Sequence, residues 1–377
     1  MNEWKKIKIK DICSLITEKT KIKNSNLDNY ISTENMLFNF GGIIPATKIP
    51  TTPLVNIFKM NDILFSNIRT YFKKVWYALF DGTVSQDVLV FRANRNCDNK
   101  FLYYLLCEPS FTEYTVLTSK GAKMPRGDKD AILNYSIFLP QLPEQKSIAS
   151  VLSSIDDKID LLHRQNKTLE SMAETLFRQW FIEDNQELWE EKSLSEIAVF
   201  TNGLACQKYP ASVDEKGLPV LKIKELQSGF SNTTDIASSK VNSEYIVHHG
   251  DIIFAWSASL MVKIWSGPDC VLNQHLFNVK SDKYPKWFYY EWCKYHLKEF
   301  INISQSHATT MGHIRRKDLD EAIVKVPPDK ELSLMSKDMI PILNQRIEKM
   351  KQILTLENLR DTLLPKLMSG EVRVKLD

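Results

Sequence analysis

The chain repeats itself, and that constrains its fold more than any local propensity, because both copies must supply one set of elements. "WKKIKIKDI" from Trp4 returns as "WEEKSLSEI" from Trp189, 185 residues later. "NDILFSN" (Asn61 to Asn67) returns as "GDIIFAW" (Gly250 to Trp256), and "KFLYYLLC" (Lys100 to Cys107) as "KWFYYEWC" (Lys286 to Cys293). "KDAILNYSIFLP" ends at Pro140 and "KDLDEAIVKVP" at Pro327; "ETL" at Glu174 and "DTL" at Asp361 are also 187 apart. The C-terminal "LRDTLLPKLMSGEVRV" (Leu359 to Val374) therefore belongs to a second copy of the unit that holds "AETLFRQWF" (Ala173 to Phe181).

Each copy has two parts of different character. The first parts, residues 1–142 and 186–328, carry β-branched and aromatic runs broken by Gly, Pro and Asn, which predicts short strands with a helix or two. "FLYYLL" and "WFYYEWCKYHL" are the best helix candidates there, and "DIIFAWSASLMVKIW" (Asp251 to Trp265) suits a core strand better than a membrane span. The second parts, 143–185 and 329–377, predict long helices reaching about residues 183 and 369; Pro143 makes a good opening and Gly370 a good stop. In the first helix Ile148, Leu152, Ile155, Ile159, Leu162, Asn166, Leu169, Ala173, Leu176 and Trp180 alternate by four and three, the spacing of a coiled-coil seam with one polar member. Ile340, Leu343, Ile347, Met350 and Leu354 repeat it in the second, where Pro341 must delay the start or kink the helix. Two helices of about 40 residues, each about 60 Å long at 1.5 Å per residue, would pair antiparallel within the chain; the plainer alternative is two long core helices packed on the globular parts. The expected fold class is thus mixed α/β: two tandem α/β domains separated by two long antiparallel helices in an intramolecular coiled coil, with a pseudo-twofold internal repeat.

The 377 residues exceed one average domain, and 43% hydrophobic with 25% charged residues is ordinary for a globular protein. Forty-nine basic residues nearly cancel 46 acidic ones, so a polyanionic partner must be argued from local clusters. The N-terminus does not read as a secretory signal, and a soluble, cytoplasmic protein without membrane partners is expected. Six cysteines lack any CxxC pair, which predicts reduced, structural thiols and no metal site. No GxGxxG, GxxxxGK[ST] or Asn/Asp-Pro-Pro-aromatic motif occurs, so neither methyl transfer nor ATP-driven work is expected of this chain alone. "PDKE" (Pro328 to Glu331) resembles part of a metal-nuclease motif, but acidic residues favour a first helical turn.

Basic residues do cluster in predicted loops. "SNIRTYFKKVW" (Ser66 to Trp76) interleaves Arg69, Lys73 and Lys74 with aromatics, and "SKGAKMPRGDK" (Ser119 to Lys129) holds Lys120, Lys123 and Arg126. The matching segment of the second copy, "QSHATTMGHIRRK" (Gln305 to Lys317), offers Gln305, Thr309, Thr310, His313, Arg315 and Arg316; Lys263 is a further candidate. Arg and Lys neutralise phosphates, and Arg or Gln pair bidentately with base edges. His248, His249 and His275 are expected to be ordinary histidines. Leu176, Trp180, Phe181, Leu367 and Met368 crowd the helix ends beyond what a seam requires, and are candidates either for docking partner proteins or for packing on the adjacent domains.

"LPQLPEQKSIASVLSSIDDKIDLL" (Leu139 to Leu162) and "LRDTLLPKLMSGEVRV" resemble the two helical regions of the specificity subunit of type I restriction-modification systems, and "DIIFAWSASLMVKIW" with "LNQHLFNV" (Leu272 to Val279) is similar to a target-recognition domain of that family. The resemblance spans essentially the whole chain. It departs at "PPDKELSLMSKDMIPIL" (Pro327 to Leu343), which lacks the "EQ" pair that follows Pro143. The resemblance implies a non-catalytic subunit that recognises a bipartite, asymmetric duplex DNA target, each domain reading one half. It would dock two modification subunits, which use S-adenosylmethionine to methylate adenine, and restriction subunits as well. Two rivals remain: a coiled-coil scaffold without DNA recognition, and a single-chain DNA-modifying enzyme.

Overall fold

The apolar runs beside the predicted loops become the middle strands of small sheets. A computed structural model describes residues 4–184, 189–231, 233–306 and 312–375. In the first copy Ile63–Ser66 is buried at every position and lies between Val75–Tyr77 and Val88–Ala93, with Cys13–Leu15 outermost; all pairs are antiparallel. Full burial is expected of a strand covered on both faces. The alternation of side chains assigns those faces. Ile63 and Phe65 pack with Phe101, Leu102 and Leu105 of the helix Asn99–Cys107, whereas Leu64 packs with Phe58, Val84 and Trp76. Phe58 and Val84 belong to a second four-stranded sheet of Lys19–Lys21, Leu54–Phe58, Gly82–Val84 and Tyr30–Ile31.

The second copy follows the same plan. Ile252–Ala255 lies between Met261–Ile264 and Leu276–Lys280, with Val199–Asn202 outermost. Ile252 and Phe254 face the helix Lys286–Ser306, while Ile253 and Ala255 face a second sheet through Leu272 and Leu221. The expected single core strand "DIIFAWSASLMVKIW" is therefore a hairpin, turned at 256–260 by a left-handed Ala258 (φ +56°). In each copy the strand after the opening Trp pairs with the strand before the long helix: Lys5–Lys8 with Ser136–Leu139, and Glu190–Ser193 with Ile323–Val326.

The central helix runs Leu142–Arg178, closed by a wider turn at Gln179–Glu183; the C-terminal helix runs Asp329–Ser369 and stops at Gly370, whose φ of +77° suits glycine at a helix end. Pro341 does not delay that helix. Lys337, whose carbonyl loses its amide partner to the proline, is exposed, as is Pro341, so water can serve that carbonyl. Six of the ten expected seam positions of the central helix are buried, among them Ile148, Leu152 and Leu162, while Asn166, Leu169, Leu176 and Trp180 are half-buried. In the C-terminal helix the expected phase fails at its start. Ile340 is 42% exposed, and Met339, Ile342 and Leu343 form the buried stripe.

Two compact units result, and they cut across the four segments read from the sequence. One joins Met1–Lys158 with Leu356–Asp377; the other is Ile159–Thr355. Each takes part of both long helices because the apolar positions there complete its core: Ile148, Leu152, Leu364, Leu367 and Met368 in the first, Ala173, Phe177, Phe181, Met339 and Leu343 in the second. Within each unit the helix segments run antiparallel. Asp156 meets Arg360 at 3.2 Å in the first, and in the second Gln165 meets Lys349 at 2.8 Å and Glu170 meets Arg346 at 3.0 Å.

Candidate nucleic-acid interface

Three loops that are distant in sequence converge in the first unit. The Asn67 amide donates to the Asp87 carbonyl (2.8 Å), the Gly127 amide to the Asn67 carbonyl (3.0 Å), and the Arg69 amide to the Pro125 carbonyl (2.8 Å). Gly127 is needed at this crossing, since a Cβ there would lie 2.7 Å from Asn67 Oδ1. Arg69 and Lys73 bracket a short turn with φ of +50° and +52°; two strained non-glycine residues persist only where surrounding contacts hold them. Lys120 and Arg126 exchange backbone bonds of 2.8 and 2.9 Å around Gly121, which closes the third loop.

The basic side chains gathered there differ in what holds them. Arg126 Nη2 donates to Asp87 Oδ1 at 2.9 Å, with 59% of the guanidine side chain still exposed. Lys120 pairs with Asp128, whose carboxyl is held below its ordinary range by that hydrogen bond. Arg69 lies 5.9 Å from the Phe72 ring, and Lys123 is exposed. Lys74 is withdrawn from the surface set. Its Nζ donates to the Thr33 carbonyl at 2.6 Å, sits 4.4 Å from the Phe38 ring, and burial pushes its pKa down. It ties the loop to its own domain.

The second unit builds the same frame with other side chains. The Trp256 amide approaches the His275 carbonyl (3.4 Å), the Ile314 amide donates to the Trp256 carbonyl (3.0 Å), and the Ala258 amide to the Gly312 carbonyl (2.9 Å). Ala258 repeats the left-handed conformation of Arg69. Trp256 stacks on Phe277 at 5.7 Å and donates its indole N–H to Asn202 Oδ1 (3.2 Å); the rings of His275 and His313 lie 5.9 and 6.4 Å from it. Ser257 Oγ and His275 Nδ1 share a hydrogen bond of 3.1 Å, and Gln274 Nε2 lies 3.4 Å from His275 Nε2.

Of the residues singled out from the sequence, His313, Arg315 and Arg316 are exposed beside this frame, and Gln305 is exposed near the end of the helix Lys286–Ser306. Thr309 and Thr310 lie outside the described residues. Lys263 is not part of the cluster: its Nζ donates to the Leu226 carbonyl (3.1 Å), because strand alternation sends it towards the second sheet, away from the face of Val262 and Ile264. Sequence reasoning did not single out Asp87 or Trp256, and it read His275 as an ordinary histidine. A signal existed: "SQD" (Ser85 to Asp87) and "NQH" (Asn273 to His275) occupy the same turn, 188 residues apart, with glutamine kept in both.

The helix-end residues divide as well. Phe181, Leu367 and Met368 are core residues, 2%, 2% and 8% exposed, and offer no docking surface. Their side chains fill space that the small sheets and short helices leave open. Leu176 and Trp180 are half-buried, and Leu176 joins Thr168, Ser171, Met172 and Thr175 around an open depression on the central helix. Among the described residues no helix is long and apolar enough to cross a membrane.

The model of the family described as "Type I restriction modification DNA specificity domain" matches residues 1–171 and again 186–358. The MjaIX type I restriction enzyme specificity subunit of Methanocaldococcus jannaschii is 28% identical over 304 residues, 74% of this chain and 70% of that protein. The HindI specificity subunit of Haemophilus influenzae is 27% identical over 191 residues, 48% of this chain and 42% of that protein. The crystal structure of a type I restriction-modification S subunit from M. genitalium shares the fold with a TM-score of 0.60 at 18% identity, over 97% of this chain and 96% of that one. Two family matches that fall on the two copies of the repeat account for nearly all of the sequence, and the chain belongs to the family of type I restriction-modification DNA specificity subunits.

Proposed function

We propose that each unit reads one half of a bipartite, asymmetric duplex DNA target through its three-loop frame, and that the chain performs no chemistry itself. One observation carries this reading: the same three backbone contacts join Asn67, Asp87, Arg69, Pro125 and Gly127 in one unit and Trp256, His275, Ala258, Gly312 and Ile314 in the other, with Arg126 and His313 at the equivalent bridged position between them. A common frame with different side chains is what two readers of different half-sites require. Arg69, Lys73, Lys120, Lys123 and Arg126 in the first unit and Gln305, His313, Arg315 and Arg316 in the second supply phosphate and base contacts. Modification and restriction subunits dock on the exposed faces of the helices, with Met172 and Leu176 of the central helix the best candidates, and S-adenosylmethionine is bound by the modification subunit.

The test is to co-express the chain with its modification subunit and map methylated adenines across a genome. A split motif of fixed spacing supports the reading. A continuous motif removes the two-reader arrangement, and absence of methylation from an assembled complex favours a scaffold. Methyl transfer by the isolated chain would show an enzyme instead.

A further inference from the structure

The internal repeat provides a comparison that a single domain does not. The turn 85–87 and the turn 273–275 join equivalent strands, and the residue that ends each turn anchors the amide that follows the central strand. Asp87 corresponds to His275. Ile68 bridges Arg126 as Ser257 bridges His313, so Arg126 corresponds to His313. With the backbone frame held constant, these exchanged side chains are what the two surfaces present differently.

We infer that this pair of positions is the base-discriminating centre of each unit, and that the first unit's half-site presents a guanine to Arg126. The inference rests on the reading that the frames contact DNA. Asp87 takes one donor of the guanidinium, through Nη2 at 2.9 Å, which restrains the group over the frame while the exposed remainder keeps donors for a ligand. A guanidinium so oriented fits O6 and N7 of guanine, the commonest specific contact of the major groove. Asp87 acts through Arg126 and is a positioning residue. In the second unit His313 holds the position of Arg126. His275, fixed by Ser257 and Gln274, stands beside the Trp256 ring, as does His313. Its half-site therefore has no guanine requirement of this kind.

The experiment maps methylated sites for the assembled complex carrying the wild-type chain, Arg126→Gln, Asp87→Asn or His313→Gln. All three side chains are at least partly exposed, so folding is not at stake, and assembly is checked by co-purification. Arg126→Gln is expected to lower discrimination for guanine at one position of one half-site roughly five- to a hundredfold, with a shift towards adenine, which Gln pairs bidentately. Asp87→Asn should relax the same position more weakly. The other half-site and the spacer should be unchanged, and His313→Gln should leave the first half-site as it was. An unchanged motif with Arg126→Gln, or a loss spread over both half-sites, would overturn the inference. A wild-type complex that yields no split motif would instead remove the functional reading beneath it, so the two failures are distinguishable.

Discussion

A single glutamate shows how much one residue organises in this chain. Glu144, 5% exposed in the first turn of the central helix, accepts the indole N–H of Trp4 at 3.1 Å and pairs with Arg373 through Nη2 at 2.8 Å, while the Arg373 guanidinium lies 5.3 Å from the Trp4 ring. Opening and closing segments of the chain thus meet on one carboxylate. Trp189 donates likewise to Glu331 at 3.2 Å, but Glu331 is exposed. The "EQ" missing from the second helix start is therefore half present: Glu331 does the work of Glu144, and Leu332 stands where Gln145 ties the first helix to Asn96, Asp98 and Pro140. Sequence spacing missed this because Trp and Glu are 140 residues apart and nothing local links them. Glu144→Gln should cost about 1–3 kcal/mol by stranding a charge partner, and Glu331→Gln less than about 1 kcal/mol. Denaturant unfolding of both variants measures the difference.

At the scale of the element, the C-terminal helix is the informative case. A four-three count starting from Ile340 puts an exposed residue on the seam: Met339, Ile342, Leu343 and Ile353 are the buried apolar positions over this stretch, so of the expected set Leu343 is buried, Ile347, Met350 and Leu354 are half-buried and Ile340 faces outward. Ile340→Lys should then change stability by no more than about 0.5 kcal/mol, whereas Met339→Lys, at a position 1% exposed, should cost about 3–5 kcal/mol by burying an unpaired charge. Equal losses measured for the two would restore the sequence-based phase. The same unit carries an acid–base network with opposed pH behaviour. Burial raises the Glu170 carboxyl, but Arg346 and Lys294 outweigh it and hold its pKa below the ordinary value. Its contribution is present above about pH 4.3, the unfolded value, and is lost as pH falls through the lower folded value. Glu291 is the reverse: burial raises its pKa more than Lys294 and Arg346 lower it. Its contribution is present at low pH and is lost as pH rises through the raised folded value. Glu170→Gln should destabilise the unit at pH 8 by about 2 kcal/mol, with Arg346 losing its carboxylate partner. Glu291→Gln should be neutral or stabilising at pH 8 relative to pH 5, because Lys294 keeps Glu170 and Glu174. Unfolding at both pH values decides the signs.

For the whole molecule, the division between units falls inside both long helices, at Lys158–Ile159 and Thr355–Leu356. If each unit reads a half-site, the length of helix at these two places sets the spacer. Four residues inserted at both add about 6 Å of rise, close to two base-pair steps of about 3.4 Å. Mapped methylation should then show a spacer longer by one or two base pairs with both half-site sequences unchanged. A fixed spacer with altered half-sites would rule out helix length as what sets the spacing.

The sequence by itself determined the repeat, the two long helices and the strand-rich domains, since each is written in spacing: a four-three alternation, short apolar runs, and segments that return near 187 residues later. It also marked the basic loops, for cations in glycine-bearing stretches are visible without coordinates. Tertiary structure decided which of those cations share a surface. Lys74 and Lys263 turn inward to carbonyls, while Asp87 and His275, unremarkable in sequence, arrive at the frame through strand pairing. It also decided that Phe181, Leu367 and Met368 are core and that each compact unit takes part of both helices. The physical reason is common to all of these. Apolar periodicity is a property of neighbours in the chain, whereas burial and hydrogen-bond partnership depend on what segments a hundred or more residues away bring to the same place.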